Sequence, residues 1–131
     1  MRKDESILKM IKRSVKKMES TQIDGNEVKG VSMKLLVGRE DQAPNFAMRH
    51  FLVEKDGHTP RHHHPWEHEV FILSGTGEVE CGGELQQIEG GDGLLIPSND
   101  LHQFRNTGES PLELLCIVPV DSDCGEAVPG S

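Results

Sequence analysis

The stretch "RHHHPWEHEVFILSG", residues 61–75, places four of the chain's seven histidines within eight positions and then runs straight into an apolar segment. His62 and His64 are two apart. On a strand that spacing points both side chains to one face, about 6.5–7 Å apart along the strand, close enough for two imidazoles to share one metal ion. His68 has the same parity as this pair, and Val70 and Ile72 stay in phase with it. His63 has the opposite parity and is expected to point outward. A fourth candidate is His102, which follows "GDGLLIPSNDL" and opens the segment "HQFRN". A barrel can bring these two distant strands together. His50, on another strand, and His58, in a turn, are read as structural or solvated.

The segments around this stretch are short, apolar and separated by turn residues. "VSMKLLV" reads as a strand, "GREDQAPN" as a loop, "FAMRHFLV" as a strand and "EKDGHTP" as a turn. "HEVFILSG", "TGEVEC", "ELQQIE", "GLLIP", "HQFRN" and "LELLCIVP" follow. Strands about 8 to 12 residues apart, punctuated by Gly and Pro, indicate an all-β sandwich or barrel. Residues 5–19 stay ambiguous: Ile7, Leu8, Met10, Ile11, Val15 and Met18 fit a helical stripe, and "LKMIKRSV" fits an edge strand guarded by lysines. The expected organisation is an N-terminal arm over 1–29, helix or edge strand, a barrel over 30–119, and a disordered tail over 120–131.

A chain of 131 residues predicts one domain with one core. No apolar run approaches the roughly 18 to 20 residues of a membrane span, and the N-terminus has no signal-peptide core. Cys81, Cys116 and Cys124 are odd in number and lack metal-site spacing, so the expectation is a reducing cytoplasm rather than a disulfide framework. Residues 1–20 carry seven Lys/Arg against three Asp/Glu, and the remainder seven against nineteen. An acidic body argues against nucleic acid as a partner, and the basic start reads as a solvated face near a chain end.

Two spaced patterns resemble the cupin family. The family's second motif, G-x5-P-x-G-x2-H-x3-N, is met by Gly91, Pro97, Asn99, His102 and Asn106. Asn99 stands where Gly is expected, a mild change because Asn tolerates left-handed backbone. The first motif, G-x5-H-x-H-x3,4-E-x6-G, reads Asp56 in place of its opening Gly, then His62, His64 and Gly75. Its Glu is the departure. Three intervening residues lead to His68 and four to Glu69. Counting back from Gly75 across six intervening residues lands on His68, and strand parity selects the same residue. The stretch is also similar to a subset of small single-domain cupins reading "HPWEHE", in which His replaces the Glu.

The resemblance implies a double-stranded β-helix, the jelly-roll cupin barrel, holding a divalent transition metal on His62, His64, His68 and His102. Imidazoles suit Fe, Ni, Cu or Zn, and the resemblance adds Mn, with Mn or Fe favoured. Four neutral ligands leave the ion's charge uncompensated, which favours an anionic small molecule in the two open positions of an octahedral ion. Parity assigns Ile72, Phe104 and Leu114 to the pocket wall, and the resemblance turns Arg49 and Cys116 inward. Such a centre points to a metal-dependent oxygenase of the dioxygenase type. The alternatives are a non-catalytic small-molecule or metal-sensing module, or a sugar-type isomerase whose acid/base residues cannot be located here. The resemblance also implies a homodimer in which a Lys-rich N-terminal strand is exchanged.

Overall fold

The computed structural model describes residues 9–122. Residues 1–8 and 123–131 lie outside the described part, and with them Ile7, Leu8, Cys124 and most of the expected tail. Nine strands follow one another: β1 (Thr21–Ile23), β2 (Lys29–Val37), β3 (Phe46–His58), β4 (His68–Ser74), β5 (Thr76–Cys81), β6 (Glu84–Glu89), β7 (Gly93–Ile96), β8 (His102–Asn106) and β9 (Leu112–Pro119). They form one curled antiparallel sheet in the order β6-β5-β8-β3-β9-β4-β7, with β2 alongside β3 and β1 alongside β2. The fold is the all-β double-stranded β-helix that the strand spacing and the two motifs predict.

Side-chain alternation explains how this sheet closes over a core. On β9, Leu112, Leu114, Cys116 and Val118 are buried, and the residues between them are only half-buried. On β4, His68, Val70 and Ile72 turn inward, while Glu69, Phe71 and Leu73 face out. Each buried Leu, Ile or Val contributes about 1.5–3 kcal/mol, so the inward rows hold the barrel shut. The outward Glu69 tolerates water.

β3 joins the two walls of the barrel. Its first half pairs with β9 from Phe46 to Val53, and its end pairs with β8 through His58 and Arg105. The turn expected over "EKDGHTP" is therefore a bend inside a long strand. Asp56 makes the bend with φ 65°, and Gly57 lies so close to β2 that a Cβ there would stand 2.5 Å from the Lys29 carbonyl oxygen. A non-glycine at 57 would force the two strands apart.

Over residues 9–19 the arm forms neither a long helix nor an edge strand, and its one strand is β1, three residues long and paired at the sheet edge with β2 alone. A single 3₁₀ turn, Val15–Lys17, is followed by β1. Met10 is 94% and Ile11 43% exposed, so these two residues of the apolar stripe find no face to pack on, and an isolated helix of this length is not stable without one. Polar ties hold the arm instead. Arg13 grips Asp41 at 2.7 and 3.0 Å and the Leu36 carbonyl at 2.7 Å, and Lys34 donates to the Val15 carbonyl at 2.6 Å. At the other end the packed chain continues past β9. Val120 is buried in the core and donates its N–H to the Asn45 carbonyl at 2.9 Å, and Ser122 is buried as well.

Candidate metal centre

The two motifs meet through their backbones. His62 and His102 form an isolated antiparallel bridge, N–H of each to C=O of the other at 3.1 and 2.9 Å. This pair of bonds sets residues forty positions apart side by side. A third bond, from the Asn99 N–H to the His64 carbonyl at 2.8 Å, ties the second motif's turn to the first motif's ligand loop. Asn99 sits at φ 66° and Asp56 at φ 65°. Both occupy glycine positions of the motifs, and both adopt the left-handed backbone those positions demand.

His62, His64 and His102 each offer a nitrogen within 4.8 Å of the others. His64 Nδ1 donates to the Trp66 carbonyl at 3.0 Å, and His102 Nδ1 donates to the Asp100 carbonyl at 2.8 Å. Each bond places the ring proton on Nδ1, so both rings present an Nε2 lone pair to the cluster. His102 Nε2 is buried and has no hydrogen-bond partner. A buried acceptor without a partner is costly, and a bound cation relieves that cost. The donor set thus fits a divalent metal ion. His68 adjoins the trio: its ring stacks on His64 with centroids 4.3 Å apart, and its centroid lies 5.2 Å from that of His102. His63 is exposed, as its parity predicts.

Electrostatics keep the cluster neutral and ready to coordinate. Burial pushes the His62 imidazole down to about 4, helped by His102, His64 and Arg49. Burial drives His68 lower still, to about 2, with further repulsion from His64 and Arg49. Burial also lowers His64 and His102, against the opposing pull of their Nδ1–H bonds to backbone carbonyls. A neutral imidazole is the form that binds metal.

A model of the cupin domain matches residues 49–118, more than half the chain. The chain belongs to the cupin family. Among solved structures this cupin is similar to the polyketide cyclase RemF from Streptomyces resistomycificus, with a TM-score of 0.78 and 25% identity over 93% of this chain and 88% of that one. Among curated proteins it is similar to the polyketide synthase CurC of Streptomyces cyaneus, 26% identical over 77% of this chain and 64% of that one. The mannose-1-phosphate guanylyltransferase RfbM of Salmonella typhimurium is 34% identical over 59% of the chain, which spans only 16% of that protein's length.

A cavity of about 420 Å³ opens beside the histidines, inside the range of small-molecule sites. Of the residues expected to line it, Arg49, Phe104, Leu114 and Cys116 do, together with His62, His68 and His102. Ile72 does not. It is fully buried in the hydrophobic core, because β4 carries its later inward residues past the cavity floor. Phe51 and the loop from Ile23 to Val28 also line the cavity. Phe51 shares the parity of Arg49 and was legible on that ground. The loop carried no signal, since it reaches the mouth only through the pairing of β1 with β2. His50 is tied to Glu113 at 3.1 Å, and His58 bonds the Thr59 carbonyl at 3.1 Å.

Proposed function

We propose that this cupin is a metal-dependent enzyme acting on a small, largely apolar molecule of polyketide type, seated in the barrel cavity with an oxygen donor on the ion. The observation that carries the reading is the buried, unpartnered His102 Nε2, aimed among converged neutral imidazoles at the edge of the cavity. His62, His64, His68 and His102 would hold the ion; imidazoles suit Fe, Ni, Cu or Zn, and the family resemblance is what favours Mn or Fe. When bound, the ion supplies a Lewis acid that polarises a carbonyl or phenolic oxygen. The chain's own part is positional. The Trp66 and Asp100 carbonyls fix two ligand rings, and Phe51, Phe104, Val70 and Leu114 exclude water and seat the apolar body. Four neutral ligands offset none of the ion's charge, which favours an anionic oxygen donor.

Likeness to a polyketide cyclase along 93% of the chain supports ring closure as the reaction. The imidazole-only ligand set supports oxygenation as a second reading, since it suits redox-active Fe. Untagged protein, stripped with EDTA and reloaded with zinc or with iron, separates them on a panel of polyphenols and poly-β-ketones. Turnover with zinc under argon establishes ring closure. Turnover that needs iron and consumes dioxygen establishes the oxygenase. Ligand binding without turnover under any condition leaves a non-catalytic binding module. A homodimer is supported by the exposed apolar residues Phe71, Leu73 and Leu95 on the outer faces of β4 and β7, and sedimentation at micromolar concentration tests it.

A further inference from the structure

Arg49 is 3% exposed and lines the cavity. Among the described residues no carboxylate pairs with it. Its Nε has no hydrogen-bond partner, its Nη2 reaches only the Cys116 sulfur at 3.5 Å, and its guanidinium carbon stands 4.7 Å from the centre of the Phe51 ring. A buried cation without a counter-ion is costly to fold around. A sulfur contact at that length and a ring face offset only part of the cost. The strand fixes this placement: Arg49 alternates with Phe51 and Val53 on the inward face of β3, opposite Cys116 in register.

We propose that Arg49 is the anchor for an anionic oxygen group of the substrate, and that the cavity takes an apolar monoanion with its charged end innermost and its uncharged end at the mouth. The inference rests on the metal-dependent reading for the reaction, while the anchor itself needs no ion. A planar guanidinium with a free Nε–H matches a carboxylate through two parallel hydrogen bonds. The walls beside it, Val31, Phe51, Val70, Phe104 and Leu114, suit an aryl or alkyl body. The mouth sets the other half of the specificity. Asp24 and Glu27 lie on the exposed loop that lines it, so a second negative charge on the ligand's outer end meets repulsion where the first meets attraction. Arg49 lines the same cavity as His62, His68 and His102, so an anion at Arg49 sits within reach of the metal centre's chemistry.

The probes are 2-naphthoate, its uncharged 2-naphthamide, and 2,6-naphthalenedicarboxylate, measured by calorimetry on the full chain, both EDTA-treated and zinc-loaded. The expected result is binding of 2-naphthoate in both states, at least tenfold weaker binding of the amide, and at least tenfold weaker binding of the dicarboxylate. Arg49→Gln should weaken 2-naphthoate tenfold or more, and Arg49→Lys should recover part of the loss. Asp24→Asn/Glu27→Gln changes only exposed side chains. It should strengthen the dicarboxylate several-fold more than it strengthens 2-naphthoate, because only the dicarboxylate carries a charge at the mouth. Equal binding of acid and amide, unchanged affinity in Arg49→Gln, or no binding by any acid overturns the anchor. Binding that appears only with zinc and ignores Arg49→Gln overturns it too, while leaving the metal reading intact. Binding of 2-naphthoate through Arg49 in a protein that takes up no metal sinks the metal reading and keeps the anchor. If Arg49→Gln does not fold, the amide comparison and the double variant decide the matter.

Discussion

His68 Nε2 lies 2.6 Å from His64 Nε2, and the two rings are parallel to within 7°. His64 has its proton on Nδ1, against the Trp66 carbonyl, so its Nε2 accepts and His68 Nε2 donates. Two imidazole nitrogens on one ion, each about 2.0–2.1 Å from it, stand roughly 3 Å apart in neighbouring positions. The hydrogen bond therefore occupies the place the ion would take, and the nitrogens need to part by only a few tenths of an ångström. His68→Ala should lose metal on dialysis with an affinity loss of at least tenfold, since one imidazole of the set is gone. Glu69→Ala should keep it, because Glu69 faces outward on β4 between Ile117 and Leu95. Elemental analysis of both dialysed variants checks this, and an empty Glu69→Ala beside a full His68→Ala refutes the assignment of His68.

The pattern of residues made the inward faces legible, and the long-range contacts were not. The His62/His64/His68 parity, the Leu114/Cys116 face and the positive φ at Asn99 follow from period-two strands and motif spacing, which are local quantities. Ile72 illustrates the limit. Parity gives the correct face but not the depth, and two residues along β4 separate the cavity from the core. The bend at Asp56 was hidden because "EKDG" has turn composition, yet β2 and β8 both bond to the strand that contains it. The loop over the mouth depended on strand pairing across distant parts of the chain, which no local signal encodes.

Acid should destabilise the metal-free protein before it protonates the folded site. His62 is held near 4 and His68 lower, whereas in the unfolded chain each titrates near 6.5. Between those values the unfolded state binds protons that the folded state does not, so stability rises with pH across the window and is lost as pH falls from about 6.5 toward 4. The melting temperature of EDTA-treated protein should drop steadily over that range. His62→Gln should flatten part of the slope. By the same physics, zinc affinity should hold well below pH 6.5, because protons do not compete for the folded imidazoles there. A melting temperature independent of pH between 7 and 4.5 would contradict the depressed values.

Gly75 should resist any side chain. It sits at φ 90°, and a Cβ there would stand 2.5 Å from the Pro111 carbonyl oxygen and 2.9 Å from Leu112 Cα. Left-handed strain costs about 1–2 kcal/mol by itself, and the close approach to backbone that cannot move aside adds to it. Gly75→Ala should destabilise by more than 2 kcal/mol in urea unfolding. The same substitution at Gly83 should cost less, because φ is again positive, at 87°, but nothing lies within 4 Å. Equal losses at the two positions would show that the packing against β9 contributes nothing.

Trp66 should report on the ion and help to hold it. It is the chain's single tryptophan, and its ring stacks on His64 at 4.5 Å between centroids with the planes 10° apart. The stack and the bond from His64 Nδ1 to the Trp66 carbonyl fix one imidazole from two directions. Residues that orient a metal ligand in this way typically contribute about 10- to 100-fold in metal affinity. Trp66→Ala retains the carbonyl but loses the ring, so its zinc affinity should fall toward the lower end of that range. Trp66→Phe should stay within a few-fold of the parent because a flat ring still covers His64. In the parent, zinc titration should change tryptophan emission with a single binding curve, and His64→Ala should abolish the change while leaving the emission of the metal-free protein measurable. Unchanged emission on saturating zinc, in protein shown by elemental analysis to have bound it, would mean that the ion does not engage His64.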